Sequence, residues 1–185
     1  MMRIISGIRR GKKLLTLSGD TTRPTLERVK QAFFNAIQFE ISDKTVLDLF
    51  SGSGQLGLEA ISRGARFCFF NDYSQQACKI IEKNIKACGF EQLCQLTCKT
   101  YSDCVKMIRL KGQKVSLVFL DPPYGRNLIP DALELMCKND ILDTSCIVVC
   151  ESAKSDVILN RNFKIRQEYF YSDIKITILE RRNDI

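Results

Sequence analysis

The apolar run VSLVFL, residues 115–120, is followed by DPPYG, which sets a carboxylate, two prolines and an aromatic ring at what reads as the tip of a buried strand. Pro122 and Pro123 have no N–H and a fixed φ, so the backbone there is stiff and its carbonyls cannot swing away. Asp121 and the Pro122 carbonyl then offer two acceptors side by side. An exocyclic amine on a nucleobase has two N–H donors, and its lone pair stays delocalised into the ring until those donors are drawn out. A carboxylate held beside that nitrogen also stabilises the positive charge that develops as it attacks a methyl group. Tyr124 supplies a ring for an extracted base, since stacking returns about 1–3 kcal/mol against an extraction cost of a few. The plainer reading is a Pro-Pro turn with Asp121 as a cap and Tyr124 as rim packing.

The second constellation is VLDLFSGSGQLGLEA, in which Gly52, Gly54 and Gly57 make a G-x-G-x-x-G pattern after a strand and at the start of a helix. Glycines there let the chain turn tightly and let a ligand approach without meeting a Cβ. The pattern alone serves dinucleotide enzymes, methyltransferases and merely structural turns. Asp48 interrupts the strand four residues before Gly52, and burying it is costly unless it orients loop amides or meets a cation. Asp72 ends the next strand, where an acid accepts both ribose hydroxyls of an adenosine moiety. A sulfonium compound with an ammonium group suits these acidic surroundings better than a pyrophosphate. Asp72 also reads more simply as a helix N-terminal acid ahead of Ser74.

The elements that must position these residues alternate from residue 45 onward. TVLDLF, RFCFFN, LCQLTC, VSLVFL and SCIVVC read as strands separated by helical patterns. One such helix carries Ala77, Cys78, Ile81, Ile85 and Cys88 on a single face, with Ser74 placed to cap it and Gly89 to end it. This alternation implies an α/β fold with a mostly parallel sheet and helices on both faces, whose ligands sit beyond the carboxyl ends of the strands. FKIRQEYFY and DIKITILERR meet at Ser172 and Asp173, which predicts an antiparallel C-terminal hairpin strand added to the sheet. At the other end RIISGIRRGKKLLTL predicts a small basic β-hairpin, followed by a helix with Leu26, Val29, Phe33, Ala36 and Ile37 on one face.

Composition bounds the function. The chain has 185 residues, 45% hydrophobic and 26% charged, which predicts one soluble domain over 1–185 with a basic extension at 1–22 and a core at 23–185. No run is long enough to span a bilayer and the start lacks a secretory pattern, so cytoplasmic residence is expected. Histidine is absent, which removes Ser-His-Asp and Cys-His pairs and most mixed zinc sites. The nine cysteines include no C-x-x-C pair; Cys68, Cys98, Cys146 and Cys150 fall in strand-like runs and read as small buried hydrophobes. No metal is expected. Of the net charge of +7, nearly all lies in the first 30 residues, which hold eight basic and two acidic side chains. Such an arm suits a polyanion, or is a solvated tail.

Taken in order and spacing, RIISGIRRGKKL, TRPTLERVKQAFFNAI, VLDLFSGSGQLGLEAISRGA and LDPPYG resemble class I S-adenosylmethionine-dependent methyltransferases with a [DNS]-P-P-[YFW] motif. Within that class they are most similar to the RsmD family, which methylates guanine N2 in small-subunit ribosomal RNA. The resemblance covers essentially the whole chain and implies a Rossmann-like sheet. It places S-adenosylmethionine near Asp48, Phe50, Ser51, Gly52 and Gly54, with Asp72 at the ribose. Thr100 stands where family members often carry an acid or amide for the adenine amino group. Arg23 to Thr25 matches the element that closes over the methionine end, with Arg23 facing its carboxylate. Asp121, Pro122 and Tyr124 become the catalytic set. Arg9, Arg10, Lys12 and Lys13 become phosphate contacts for ribosomal RNA, a partly assembled small subunit being one expected setting, and the enzyme is expected to be a monomer. Adenine N6 in DNA or RNA remains an alternative acceptor, and an RNA-binding assembly factor without catalysis an alternative class. A nicotinamide oxidoreductase would leave D-P-P-Y unexplained.

Overall fold

The computed structural model of the protein describes residues 2–17, 24–123 and 128–182, without the side chains of residues 24–27. Five helices, α1 (Pro24–Ala36), α2 (Gln55–Ser62), α3 (Gln75–Cys88), α4 (Tyr101–Leu110) and α5 (Leu128–Lys138), alternate with strands. The strands are β1 (Thr45–Asp48), β2 (Phe67–Asp72), β3 (Cys94–Cys98), β4 (Val115–Leu120), β5 (Leu142–Ala153), β6 (Phe163–Tyr171) and β7 (Ile174–Arg181). They form one sheet of order β3-β2-β1-β4-β5-β7-β6. β1 to β5 pair in parallel, and β7 runs antiparallel between β5 and β6. The mostly parallel, Rossmann-like sheet with a reversed hairpin strand is therefore present as the sequence implies.

Alternation along each strand divides the core. Val46, Phe119, Val149 and Ile178 point to one face, where they meet Val29, Phe33, Phe34 and Ile37 of α1 and its neighbours. Leu47, Val118, Val148 and Leu179 point to the other, toward α4 and α5. Both faces of the central strands are covered, so they read as continuous apolar runs. Phe33 and Phe34 stack at 4.7 Å, and Phe34 tilts against Phe119 at 5.5 Å. Each such fully buried ring contributes about 1.5–3 kcal/mol, so this cluster fixes α1 over the sheet. On α3, Ala77, Cys78, Ile81, Ile85 and Cys88 are all buried, Ser74 Oγ accepts the Ala77 N–H, and Gly89 ends the helix in the left-handed region. Cys68, Cys146 and Cys150 are buried free thiols, and burial pushes Cys146 up to about 12. Cys98 departs from the expectation: it sits exposed at the end of the edge strand β3.

The basic extension is less of a hairpin than its sequence suggests. Its strand pairing is one antiparallel bridge between Arg3 and Lys13, with Ile4 N–H bonded to the Lys12 carbonyl and Leu14 N–H to that of Met2. It is held to the body instead. Glu59, 1% exposed on α2, accepts the Ile5 and Ser6 N–H groups at 2.6 and 3.0 Å as well as Arg63 Nε at 2.6 Å. Asn84 on α3 accepts the Leu15 N–H and donates to the carbonyls of Leu15 and Ser53. Ile4 and Leu14 are buried in the core. A short segment with a single bridge has too little burial of its own to persist, so α2 and α3 supply the partners that its backbone lacks.

The tightest contact is at Gly7, where φ is +81° and a Cβ would lie 1.7 Å from the Ser62 carbonyl oxygen. Gly7→Ala should therefore cost more than its backbone strain of about 1–3 kcal/mol, and should raise hydrogen exchange at the Ile8 and Leu15 amides. Gly112, with φ of +62° and nothing within 4 Å of a built Cβ, is the control. Equal losses at the two positions in urea denaturation would mean that the Ser62 contact contributes nothing.

Candidate active site

The winding of the sheet reverses at β1. From there the chain steps outward through β2 to β3, then crosses back to lay β4 on the other side of β1. At such a reversal the loops leaving the two strands diverge, and a crevice opens beyond their carboxyl ends. Asp48 at the end of β1 lies opposite Phe119 in β4. The glycine loop and D-P-P therefore leave the sheet side by side.

Local polar contacts fix the glycine loop. Ser51 Oγ donates to the Asp48 carbonyl at 2.7 Å, Ser51 N–H to that of Asn71 at 2.9 Å, and Gly54 N–H to that of Ser51 at 2.6 Å. Gly54, with φ of +79°, caps α2, whereas a Cβ on Gly57 would come within 2.3 Å of the Phe70 ring. A Cβ on Gly52 would meet nothing within 4 Å, so this residue opens onto the crevice. Asn71, buried at the end of β2, donates from Nδ2 to the carbonyls of Leu49 and Lys99 and thereby ties three strand tips together. Its neighbour Asp72 has both oxygens engaged: Oδ2 accepts the Gly52 N–H and Oδ1 the Ser74 N–H, each at 2.9 Å. Since a carboxylate has about four acceptor positions, Asp72 is oriented and still able to take hydroxyl donors.

A cleft of about 500 Å³ runs over these groups. Phe50, Gly52, Asp72 and the first turn of α3 line one part of it, and Asp121, Pro122 and Pro123 line another. Leu17, from the end of the basic extension, reaches it too. The structure thus brings Phe50, Gly52, Asp72, Asp121 and Pro122 around one space. Asp48, Ser51 and Gly54 stand behind the loop and shape it without lining the cleft. Thr100 is elsewhere: it caps α4, its Oγ1 accepting the Asp103 N–H at 3.2 Å and donating to Asp103 Oδ2 at 2.8 Å. Its hydroxyl serves the helix it starts, and it is not among the residues of the cleft. Arg23, Tyr124 and the side chain of Thr25 lie outside the described residues. Of the four basic candidates, Arg9 has a holding role, with Nε donating to the Cys88 carbonyl at 2.6 Å and its guanidinium 5.8 Å from the Phe90 centroid. Arg10, Lys12 and Lys13 are exposed.

Three contributors escape sequence reasoning. Asn71 reads as the polar end of a strand, although its position next to Asp72 is a signal. Glu59 looks like a solvated helix residue. Leu17 has no signal, because only the docking of the extension carries it to the cleft. No group of three His, Cys, Asp or Glu side chains that could hold a metal occurs among the described residues, and none of their helices is long and apolar enough to cross a membrane.

Asp48 resolves the question posed by its place in an apolar strand. It is 1% exposed, its Oδ2 accepts the Gly57 N–H at 3.0 Å, and burial pushes its carboxyl up to about 7. The Gly57 bond and Lys30 oppose that rise, and Asp72 adds to it. A folded-state value above the ordinary 3.8 means that this group's contribution to stability is complete below pH 3.8 and is lost as pH rises to about 7. The loss is on the order of 4 kcal/mol. Asp48→Asn keeps an acceptor for Gly57 and removes the titration, so its stability relative to the unsubstituted protein should improve from pH 4 to about pH 7 and level off above that in chemical denaturation. A gap that stays constant with pH would show Asp48 ionised throughout.

Comparison with known proteins follows the same lines. Residues 2–180 match the family model described as conserved hypothetical protein 95. Ribosomal RNA small subunit methyltransferase D of Haemophilus influenzae is 34% identical over 160 residues, 85% of this chain and 82% of that protein. The Escherichia coli protein of the same name is 32% identical over 82% of this chain and 74% of its own. The solved structure of the yhhF protein of Escherichia coli superposes with a TM-score of 0.84 at 28% identity, covering 98% of each chain. With the glycine loop, Asp72 and D-P-P gathered on one crevice, and with a family match over residues 2–180, this chain belongs to the conserved hypothetical protein 95 family, the RsmD family that its own motifs resemble.

Proposed function

We propose that this protein is an S-adenosylmethionine-dependent methyltransferase acting on ribosomal RNA, and that the acceptor is the exocyclic N2 amine of a guanine. The observation that carries this reading is the shared cleft, in which Phe50, Gly52 and Asp72 face the same space as Asp121 and Pro122. The relatives named small-subunit ribosomal RNA methyltransferases support the substrate class.

The cleft suits an adenosyl compound. Gly52 leaves open space, Phe50 offers a ring, and Asp72, pinned by two amides, keeps acceptor capacity for a ribose diol. S-adenosylmethionine supplies an electrophilic methyl group there. Asp121 and the Pro122 carbonyl hold the acceptor amine by its two hydrogens, which draws its lone pair out of the ring. The Asp121 carboxylate stabilises the charge that develops on the nitrogen, and it or water takes the surplus proton afterwards. Tyr124, next in sequence to the proline pair, is assigned the stacking role. Arg10, Lys12 and Lys13, with the N–H groups of Arg9 that Cys88 does not use, hold RNA phosphates near the cleft, since Leu17 joins that arm to its rim. Position then comes from RNA shape, within a partly assembled small subunit. All of these residues lie on one chain that works as a single domain, so a cytoplasmic monomer suffices.

Transfer of a labelled methyl group to unmodified small-subunit ribosomal RNA, naked and assembled, should give N2-methylguanosine on nucleoside analysis. N6-methyladenosine would move the acceptor to adenine, and no transfer to either substrate would remove the reading. Asp121→Ala should slow transfer about a hundredfold or more while calorimetric binding of S-adenosylmethionine persists. Replacing Arg10, Lys12 and Lys13 together by Ala should weaken RNA binding and make its log-log salt dependence shallower by about 2. An unchanged slope would place the phosphates elsewhere.

A further inference from the structure

Helix α3 carries Lys79, Lys83 and Lys86, all exposed. Steps of four and three residues place them on one side of the helix, within about 60° of arc and along about 10 Å of its length. The opposite side, with Ala77, Cys78, Ile81, Ile85 and Cys88, is buried. One acid, Glu82, stands on the helix, three residues after Lys79 and four before Lys86, where ion pairs form readily. Yet among the described residues neither Glu82 nor any of the three lysines enters an ion pair or a side-chain hydrogen bond.

Four exposed lysines elsewhere are neutralised within the chain. Lys106 meets Asp103, Lys114 meets Asp140, Lys138 meets Glu134 and Lys164 meets Glu180, at 2.6–3.6 Å. Each of those pairs has to open before its lysine can take another anion. Like charges four residues apart weaken a helix, and Lys79 and Lys83 are such a pair with no acid to offset them. The stripe also has a direction. Gln76 and Ala77, in the first turn of α3, line the cleft beside Leu17, and at the other end Arg9 Nε donates to the Cys88 carbonyl at 2.6 Å. Between them Asn84 Oδ1 accepts the Leu15 N–H at 2.8 Å. From Arg9 to Leu17 the basic extension therefore runs along α3 toward the cleft. Burial pushes the Cys88 thiol up and the charges of Lys12 and Arg9 oppose that rise, so Lys12 too lies near the end of this helix.

We infer that the outer face of α3 is a second RNA contact, in which Lys79, Lys83 and Lys86 hold phosphates of the strand that leaves the cleft, beside those held by Arg10, Lys12 and Lys13. The inference rests on the proposed ribosomal RNA substrate. Binding to a polyanion releases its counterions, and this favours cations that have no acid of their own to give up. Phosphate contacts carry no sequence information, so the stripe sets position and path and leaves the choice of base to the cleft. A helix is stiff, and this one begins at the cleft, so RNA held along it enters the site from a fixed direction. A lipid surface fits the stripe poorly, because the apolar side that would enter a bilayer is buried in the protein.

The test titrates transcribed small-subunit ribosomal RNA with the full chain over a range of salt concentrations, without a methyl donor. Replacing Lys79, Lys83 and Lys86 together by Gln should make the log-log salt dependence shallower by about 2, since each phosphate contact contributes about 0.7–0.9 to the slope. Replacing Lys114, Lys138 and Lys164 together by Gln removes the same charge and should leave the slope within about 0.5 of normal. The Arg triple at positions 79, 83 and 86 should bind as the unsubstituted protein does, because phosphate contact needs only the cation. In methyl transfer the α3 Gln triple should raise KM for RNA more than it lowers kcat. An unchanged slope in the α3 Gln triple would overturn the inference, and so would an equal fall in both Gln triples, which would reduce the effect to net charge. Loss of the thermal transition in the α3 Gln triple, with equally weak binding by the Arg triple, would make the stripe structural and overturn it too. RNA that binds with the expected slopes but gains no methyl group would fail the proposed function and leave this surface standing.

Discussion

The site depends on one pairing, the parallel contact of β1 with β4 at the point where the sheet changes its direction of winding. On either side of that contact the connections run opposite ways, so neither loop covers the space beyond the strand ends. Without it the glycine loop and D-P-P would be two turns with no common purpose. With it, Gly52 and Asp121 border the same cleft although they are far apart in sequence. Parallel pairing needs crossovers, and these are α2, α3, α4 and α5, whose apolar faces cover both sides of the sheet. The core is thus what makes the crevice possible.

Buried polar groups do the finer positioning. Asp48, Glu59, Asn71 and Asn84 are each 1% exposed. Each bonds backbone: Asp48 the Gly57 amide, Glu59 two amides of the basic extension, Asn71 two carbonyls beyond strand tips, Asn84 both sides of Leu15. Among the described residues no buried side-chain nitrogen or oxygen lacks a partner. An unsatisfied backbone group costs about 1–3 kcal/mol, so each of these side chains removes a penalty and fixes a loop in the same contact. The extension shows the benefit most clearly. A segment with one β-bridge is tied to α2 and α3 firmly enough to carry Leu17 to the rim of the cleft.

Much of this was legible beforehand, because the signals were local. Ser74 and Gly89 bracket α3 by cap chemistry that operates within one turn, and the buried stripe from Ala77 to Cys88 follows from helical spacing. The central parallel strands announced themselves as apolar runs, since both of their faces are covered. Other roles follow from contacts that residue type does not announce. Thr100 stands where the resemblance puts an adenine contact, and its hydroxyl bonds Asp103, three residues further on, at the start of α4. Arg9 belongs by charge with Arg10, Lys12 and Lys13, yet it is bound to the end of α3. The expected hairpin is mostly a strap, because the hydrogen-bond partners of Ile5, Ser6 and Leu15 lie more than fifty residues away.

The sequence by itself determined the chemistry on offer: no histidine, a glycine turn flanked by acids, and a stiff pair of acceptors followed by a ring. Residue types and short spacings fix those properties, which do not depend on how the chain closes. Only the tertiary structure decided that Gly52 of the turn and Asp121 and Pro122 of the strand tip line one cleft, and that a pinned Asp72 borders it. Strand order and register set those relations, and they come from packing the whole sheet against its helices, which no stretch of a few residues encodes.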